Sequence, residues 1–209
     1  MPPKQARSAE TLQRILSATV DLIERRPYCD ITMAEIAAAA HTSPPSIYAR
    51  FENKEALLLG VYQQLQSEVR AELQDAYQPD KWSTVSPSKI IDLTVEAVAA
   101  AHQGKASIYR SVMLNPSDEL LAESARTRRL FSRSVADVVV PAVVGTDVAA
   151  GRSPEAIRRR VDLACFVLIS VLNQHLIYGD YYMASILPSV GEPDFVTTLR
   201  EVMRSLLGF

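Results

Sequence analysis

The spacing of apolar residues constrains this 209-residue chain most. Apolar side chains recur every three or four positions, glycine occurs only seven times, and runs that alternate apolar with polar residues are few. Spacings of three and four place apolar residues on one face of an α-helix, whereas strands need alternation. With 48% hydrophobic residues, such helices can bury a core. The sequence therefore predicts an all-α protein of about nine helices.

Local signals predict where several helices begin. The first apolar stripe covers residues 12–23, and Thr32 with Glu35 has the spacing of a capping box that opens a short helix over residues 33–39. A second short helix carries Ile47, and residues 79–87 are predicted to form a loop. Further helix starts are predicted where a serine stands beside a proline, at Ser86-Pro87, Pro116-Ser117 and Ser153-Pro154.

Composition argues against several classes of protein. A net charge of −2 does not mark a nucleic-acid binder, so any basic surface has to be local. Cys29 and Cys165 stand far apart and form neither a zinc motif nor a disulfide framework. The first residues contain no secretory signal, and the most apolar run, residues 163–172, is shorter than the roughly 20 residues of a membrane helix. These features predict a cytoplasmic protein.

No catalytic motif accompanies this composition. The chain has three histidines, lacks the G-x-S-x-G, P-loop and G-x-G-x-x-G patterns, and shows no spacing typical of metal ligands. We expect no enzyme, no cofactor and no metal. A helical adaptor that binds protein instead of DNA stays open as an alternative, and the salt dependence of DNA binding would separate the two.

The two short helices near the front have the plan of a helix-turn-helix motif. A longer helix precedes them, and a turn of a few residues joins them. Their small core would contain Ile36, Ala37, Ala40, Ile47 and Phe51. In such a motif the start of the second helix faces base edges in the major groove.

Residues 32–57 carry a family resemblance. T-x-x-x-I-A-x-x-A, followed after two residues by S-P-P-S-I-Y-A-R-F-E-N-K-E-A-L, resembles the pattern of the tetracycline-repressor (TetR) family. His41, Thr42 and Pro45 depart from the family's usual Gly, Val and Gly, so His41 must accept a backbone conformation that glycine adopts freely. The resemblance implies a DNA-binding domain over residues 1–53. It also implies a helical ligand-binding and dimerisation domain over residues 54–209. A helix that starts at about residue 54 would link the two domains.

The resemblance also implies which residues contact operator DNA. Thr32 and Lys54 would contact phosphate, because hydroxyls, free N–H groups at helix starts and lysines suit phosphate oxygens. Lys4 and Arg7, in a flexible arm, would add phosphate or minor-groove contacts. The residues that would face the major groove are Thr42, Ser43, Pro44, Pro45, Ser46 and Tyr48.

Pro44 and Pro45 predict a helix start, since proline is tolerated where N–H groups have no partner within the helix. Two arrangements are open. Either Ser43 is the N-cap and Pro44 the first helical residue, or Pro44 is the cap and Pro45 begins the helix. In both, an apolar ridge suited to a thymine methyl group faces the groove.

The last two helices predict a homodimer. Residues 161–172 are apolar nearly all round and the final helix has a wide apolar stripe, so pairing them across a two-fold axis would bury both in a four-helix bundle. A larger core within one chain is the alternative. The interface is expected to contain Val161, Cys165, Leu168, Leu172, Phe195, Leu199, Val202 and Leu206.

Aromatic and polar residues interrupt the apolar stripes of the C-terminal helices, as the wall of a small-molecule site would. The candidates for binding an apolar or aromatic effector are Tyr109, Met113, Phe166, Asn173 and Tyr178, with core packing as the alternative role for each. Two arginine groups either bind an acidic ligand or DNA, or form solvated faces with salt bridges. They are Arg126, Arg128, Arg129 and Arg133, and Arg158, Arg159 and Arg160.

These observations and the resemblance together predict a dimeric, DNA-binding transcriptional regulator. The expected mechanism is repression that a small-molecule ligand relieves, by favouring a spacing of the two recognition helices that mismatches the operator half-sites.

Overall fold

The computed structural model describes residues 3–144, 146, 149, 151–178 and 193–208, with the backbone alone for residues 3–5. The regular elements in these residues are all helical, which confirms the predicted all-α class. A 3₁₀ turn spans Tyr28–Asp30. The helices are α1 (Pro3–Ile23), α2 (Met33–Ala39), α3 (Pro44–Tyr48), α4 (Lys54–Ala76), α5 (Pro79–Trp82), α6 (Pro87–Gly104), α7 (Ala106–Leu114), α8 (Asp118–Val143), α9 (Pro154–Tyr178) and α10 (Pro193–Leu207).

Capping serines and prolines start α6 and α9 as predicted. Ser86 accepts a hydrogen bond from the Lys89 N–H at 3.4 Å, and Pro87 is the first residue of α6. Ser153 accepts one from the Ala156 N–H at 3.3 Å, ahead of Pro154 in α9. A proline at the first helical position sacrifices no intrahelical bond, so the two residues together define the start.

The predicted loop over residues 79–87 contains a short helix, α5, so that part of the prediction was wrong. Pro79 is its first residue, and the Trp82 indole ring stacks on Tyr77 at 5.7 Å between ring centroids. The indole N–H donates to the Ala76 carbonyl at 2.7 Å. Proline and polar residues indicated a loop, but this packing of Trp82 against the end of α4 supports one helical turn.

Contacts between Cα atoms divide the chain into two compact units. The first contains residues 1–67 and 107–123, and the second contains residues 68–106 and 124–209. The first part of α4 and all of α7 except Ala106 thus group with the N-terminal helices. The domain boundary after residue 53 stays a prediction.

The core of the first unit joins α1, α2, α3 and α4. Phe51 follows α3 and lies against Gly60 of α4, where an added Cβ would come within 2.7 Å of the Phe51 ring. This glycine therefore permits a close approach between the ring and the α4 backbone. The fully buried side chains of this core include Ile15, Ile36, Ile47, Leu57 and Leu58.

In the second unit, α6, α8, α9 and α10 share one hydrophobic core. α9 and α10 run antiparallel: Arg160 near the start of α9 donates to the Leu206 carbonyl at 2.9 Å, and His175 near its end contacts Phe195. Two ion pairs join α6 to α10. Asp92 accepts two hydrogen bonds from Arg204, and Glu96 pairs with Arg200 at 2.7 Å.

One described helix, α9, is long and apolar enough to cross a membrane by length and composition. Residues 163–172 alone are too short, but α9 extends the apolar stretch on both sides. Core helices of soluble proteins have the same character, and α9 places Val161, Leu168 and Leu172 in the core of the second unit. One side of α9 is therefore explained by packing within the chain.

Candidate nucleic-acid interface

The predicted capping box opens α2. The Thr32 hydroxyl accepts from the Glu35 N–H at 3.2 Å, and the Thr32 N–H donates to the Glu35 carboxylate at 2.8 Å. The same hydroxyl donates to Glu35 at 2.7 Å. Because both donors of Thr32 point to Glu35, a phosphate contact by Thr32 requires one of these bonds to be exchanged. That contact stays a prediction.

Arg26 completes this cluster, and the sequence prediction missed it. Its guanidinium lies 2.6 Å from the Glu35 carboxylate. This bond, together with those from Thr32, lowers the pKa of Glu35 to about 2. Arg26 thereby balances the negative charge at the α2 start, where an acidic group alone would repel DNA phosphate. Its position just before the turn at Pro27 gave no sequence signal for this role.

His41 provides the turn between α2 and α3. Its φ of 49° lies in the left-handed region, as its place in the usual glycine position predicts. The Thr42 N–H donates to the Ala37 carbonyl at 2.9 Å, and the His41 N–H donates to the Ala38 carbonyl at 3.1 Å. These two bonds form a Schellman motif, which ends α2 and redirects the chain into α3.

Ser43 and Pro44 decide the alternative left open at the start of α3. Ser43 has an extended backbone, with φ −95° and ψ 149°, and is the N-cap; Pro44 is the first helical residue. The Ser43 side chain makes no capping bond to the backbone and donates instead to the Ser46 hydroxyl at 3.2 Å. Both hydroxyls thus lie side by side at the start of the helix.

The helix-turn-helix brings the predicted groove-facing residues together, and we call them the α3 tip. Ile47 is fully buried and anchors the helix, while Tyr48 beside it is 52% exposed. Arg50 adds a support that the sequence did not reveal: it donates to the Ser46 carbonyl at 2.8 Å and to the Ser8 hydroxyl at 3.2 Å. The α3 tip consists of Thr42, Ser43, Pro44, Pro45, Ser46 and Tyr48, all exposed or half-buried.

Lys54, the first residue of α4, is held by Tyr28. The Lys54 ammonium lies over the Tyr28 ring, 4.6 Å from its centroid, and donates to the Cys29 carbonyl at 3.1 Å. The buried Tyr28 hydroxyl donates to the Lys54 carbonyl at 2.5 Å. An ammonium has three donors, so two remain for a phosphate. Only the fold reveals this contact between Tyr28 and Lys54, because 26 residues separate them.

The first helix differs from the predicted arm. α1 begins at Pro3 and includes Arg7, which is exposed and whose carbonyl accepts from the Thr11 hydroxyl at 2.9 Å. The prediction that Arg7 lies in a flexible arm was therefore wrong, because Arg7 belongs to the helix α1. The side chain of Lys4 lies outside the described residues.

The five predicted ligand residues fall into both units. Tyr109 and Met113 are half-buried on α7 in the first unit, with Tyr109 in edge-to-face contact with Tyr62. In the second unit, Asn173 is half-buried and hydrogen-bonded to the buried His102, whose pKa is lowered mainly by burial. A pairing with His102 agrees with the alternative of core packing for Asn173.

Phe166 and Tyr178, the other two candidates, are 60% and 43% exposed on α9. Phe166 lies at the edge of a groove of about 440 Å³ between α8 and α9, beside four arginines. Phe166 therefore lies next to a concave surface large enough for a small molecule.

Most of the predicted dimer residues pack inside the chain, so the predicted face requires correction. α9 is apolar on several sides, and sequence periodicity alone selected the side that turns to its own core. Val202 is exposed and Leu206 half-buried, so these two remain available to a second copy. The residues buried in the core of the second unit are Val161, Cys165, Leu168, Leu172, Phe195 and Leu199.

The comparison with known families agrees with the geometry of the motif. A family model described as "Bacterial regulatory proteins, tetR family" matches residues 15–61, which extend from α1 into α4 and include α2, the turn and α3. No curated protein matches the chain significantly.

Solved structures share the fold of nearly the whole chain. A tetR-family transcriptional regulator from Streptomyces coelicolor has a TM-score of 0.67 at 16% identity, over 95% of this chain and 80% of that one. GusR from Salmonella enterica has a TM-score of 0.63 at 19% identity, over 99% of this chain and 97% of that one. FadR from Bacillus subtilis, a transcriptional regulator solved in complex with stearoyl-CoA, has 0.61 at 14% identity, over 94% and 97%.

At such identities the likeness shows the fold, while the family match covers the helix-turn-helix itself. The capped α2, the Schellman turn at His41 and the exposed start of α3 form the motif that this match describes. Residues 15–61 therefore match the helix-turn-helix of the tetR family of bacterial regulatory proteins, and the chain shares the fold of solved tetR-family regulators.

Proposed function

We propose that this protein is a cytoplasmic homodimeric transcriptional repressor, with no enzymatic activity and no cofactor, that leaves its operator when a small molecule binds the C-terminal domain. The DNA-binding domain is residues 1–53, and α4 links it to residues 54–209. The observation that carries the proposal is the α3 tip, which is exposed while Ile47 behind it is fully buried. A rigid anchor with a solvent-facing edge suits insertion into the major groove.

The α3 tip reads bases, and Lys54 contacts phosphate. Pro44 and Pro45 offer apolar surface to a thymine methyl group, while Ser43 and Ser46 offer hydroxyl groups that both donate and accept. Lys54 is held at the start of α4 by Tyr28, so its ammonium approaches phosphate with little loss of side-chain freedom.

The test is a gel-shift assay with the DNA upstream of the protein's own gene. Tyr48→Ala should weaken binding roughly tenfold, and Lys54→Ala should reduce the slope of log affinity against log salt by about 1. Tyr178→Ala and Lys105→Ala are matched controls on exposed positions of the second unit. If the variants and their controls bind equally, with folds intact by circular dichroism, the α3 tip is not the DNA-binding surface.

Pro45 determines operator preference in this proposal. Pro45→Gly, which restores the residue usual in the family, keeps the fold because the helix start needs only one proline. It removes apolar surface from the α3 tip and adds a backbone donor. DNA fragments selected from a random pool should therefore differ between the two proteins. Identical selected sequences would remove Pro45 from base recognition.

The proposed dimer uses the outer face of α9 and α10. Leu163 is 53% exposed, Val167 one turn later is half-buried, and Val202 and Leu206 have the same four-residue spacing on α10. Because the two helices are antiparallel neighbours, these pairs would form one apolar surface. A two-fold axis through it would build a four-helix bundle and cover residues that are costly to expose.

Light scattering at micromolar concentration tests the dimer. Leu163→Glu and Val202→Glu should convert it to a monomer, because a carboxylate at a closed apolar interface loses its hydration without a partner. Leu121→Glu is the matched control, since Leu121 is 56% exposed on α8. A monomeric wild-type protein, or a dimer that survives both α9 and α10 variants, contradicts this interface.

The effector in this proposal is a small apolar or aromatic molecule. Support comes from FadR of Bacillus subtilis, which shares the fold and was solved with stearoyl-CoA, a ligand with a long apolar chain. Ligands found by a thermal-shift screen should also release operator DNA in the gel-shift assay. Met113→Ala should reduce the ligand-induced shift, while Leu114→Ala, an exposed neighbour on α7, should not. An unchanged shift in Met113→Ala would exclude Met113 from the effector site.

A further inference from the structure

The groove between α8 and α9 combines strong positive charge with apolar surface. It has a volume of about 440 Å³. Its charged wall is formed by Arg128, Arg129 and Arg133 from α8 and Arg158 from α9. Phe131, Cys165, Phe166 and Ile169 also line it.

Three of these arginines are not neutralised within the part of the chain that the structure describes. Arg128, Arg129 and Arg133 have no hydrogen bond or ion pair there, and Arg129 and Arg133 stand four residues apart on one helix face. Like charges at that spacing repel each other. A bound anion would relieve this repulsion.

The few negative groups near the groove are already engaged. Arg158 pairs with Asp137 at 2.9 Å, and the Asp162 carboxylate accepts a hydrogen bond from Ser132. The lining of the groove therefore contains four arginines and one carboxylate, so the local charge is positive although the whole chain has a net charge of −2. Such a site attracts anions at short range.

The floor of the groove is apolar and uncharged. Phe131 and Cys165 are buried, and burial raises the pKa of the Cys165 thiol to about 12, so the sulfur carries no negative charge at neutral pH. Phe166 stands 60% exposed at the edge, where an apolar ligand would cover its ring. An aromatic surface can pack against the flat body of an organic anion, while the guanidinium groups beside it pair with the negative charge of that anion.

The shape favours a small molecule over a DNA backbone. A concave volume of about 440 Å³ lies within the range of ligand sites, roughly 300–1,000 Å³. DNA phosphates are contacted by exposed donors and gain nothing from an apolar floor.

We propose that the α8–α9 groove binds a small organic anion whose body is apolar or aromatic and whose carboxylate or phosphate contacts Arg128, Arg129 and Arg133. The binding does not depend on dimerisation or on release of DNA. It assigns to these arginines a role beyond a solvated helix face.

Isothermal titration of the full chain with a matched series of probes tests the proposal. The series is 1-naphthoate, 1-naphthyl phosphate, neutral 1-naphthalenemethanol and inorganic phosphate. The tighter of the two naphthyl anions, which identifies the preferred acid group, should bind at least roughly tenfold more tightly than the neutral alcohol and than inorganic phosphate. Equal binding of the anions and the alcohol, or no binding of either anion, would overturn the proposal.

Variants then locate the site. Arg129→Gln combined with Arg133→Gln should weaken the preferred anion roughly tenfold or more, while Arg159→Gln, an α9 arginine outside the groove, should change it less than about twofold. Phe166→Ala should weaken it several-fold, with Leu121→Ala, an exposed leucine outside the groove, as its control. All five substitutions are at exposed positions, so we expect folding to be preserved.

Two results would overturn the assignment. One is equal anion affinity in the double arginine variant and in Arg159→Gln. The other is loss of affinity for random duplex DNA in the double variant with naphthoate binding unchanged, since the groove would then be a nucleic-acid surface.

Discussion

Gly60→Ala tests the packing that joins α3 to α4. An added Cβ would lie 2.7 Å from Phe51 Cε1 and 3.2 Å from Cζ, whereas ordinary contact begins at 3.4 Å. The ring would have to move by about 0.7 Å, and overpacking of this kind costs roughly 1–3 kcal/mol. Alanine in a helix regains up to about 1 kcal/mol relative to glycine. We expect Gly60→Ala to lower the free energy of unfolding by about 0–2 kcal/mol.

Gly104→Ala is the matched control, because an added Cβ at Gly104 meets nothing within 4 Å. It should leave stability unchanged or raise it by up to about 1 kcal/mol. The difference between the two variants, about 1–3 kcal/mol, is the quantity to measure, by urea unfolding followed by circular dichroism.

The same change should reach the DNA surface. The Phe51 N–H donates to the Ile47 carbonyl at 2.9 Å, so a displaced ring pulls on the helix that carries the α3 tip. Gly60→Ala should weaken operator binding, and Gly60→Ala with Phe51→Leu should recover part of the lost stability because the smaller side chain vacates the overlap. If Gly60→Ala stabilises the protein as much as Gly104→Ala, Phe51 does not pack against α4 as described.

Three further predictions concern single contacts. The bonds from Arg26 and Thr32 lower the pKa of Glu35 to about 2, so they stabilise the fold while the carboxylate is ionised. Glu35→Gln should therefore lose this stability in full at pH 7. The loss should shrink as the pH falls from about 4.5 to about 2, where the wild-type carboxyl becomes protonated. The urea midpoints of the wild-type protein and of Glu35→Gln, measured across this pH range, check the prediction. A difference between the two midpoints that does not change with pH would contradict the pairing of Glu35 with Arg26 and Thr32. His41→Gly should stabilise by up to about 1 kcal/mol and His41→Val should destabilise, because a branched residue fits φ 49° poorly; thermal melts that rank them the other way would refute the turn. Arg204→Met should lower the melting temperature more than Asp92→Asn, since the Asp92 side chain is 10% exposed and the Arg204 side chain 41%. Equal losses would mean that the Asp92 carboxylate is hydrated without Arg204.

The sequence predicted the helix-turn-helix well because its determinants act within one or two turns. Thr32 and Glu35 form a capping box, His41 adopts the left-handed conformation, and Ser153 starts α9, each through contacts with residues a few positions away. The spacing of Ile36 and Ile47 likewise identified the buried side of α2 and α3.

Periodicity failed on α9 because this helix is apolar on several sides. Leu168 and Leu172 turn to the core while Leu163 and Phe166 face solvent, and all four are large apolar residues. Nothing in their type distinguishes them. The neighbours contributed by α6, α8 and α10 decide which are buried, and this moved the proposed dimer surface to the outer face.

The all-α class, the starts of the capped helices and the helix-turn-helix were predictable from the sequence, since apolar spacing and hydrogen bonds between near neighbours encode them. The contact of Tyr28 with Lys54, the hydrogen bond from Arg50 to Ser8 and the groove lined by arginines of α8 and α9 were visible only in the folded chain. Those contacts join residues far apart in the chain, and packing of whole helices brings them within reach.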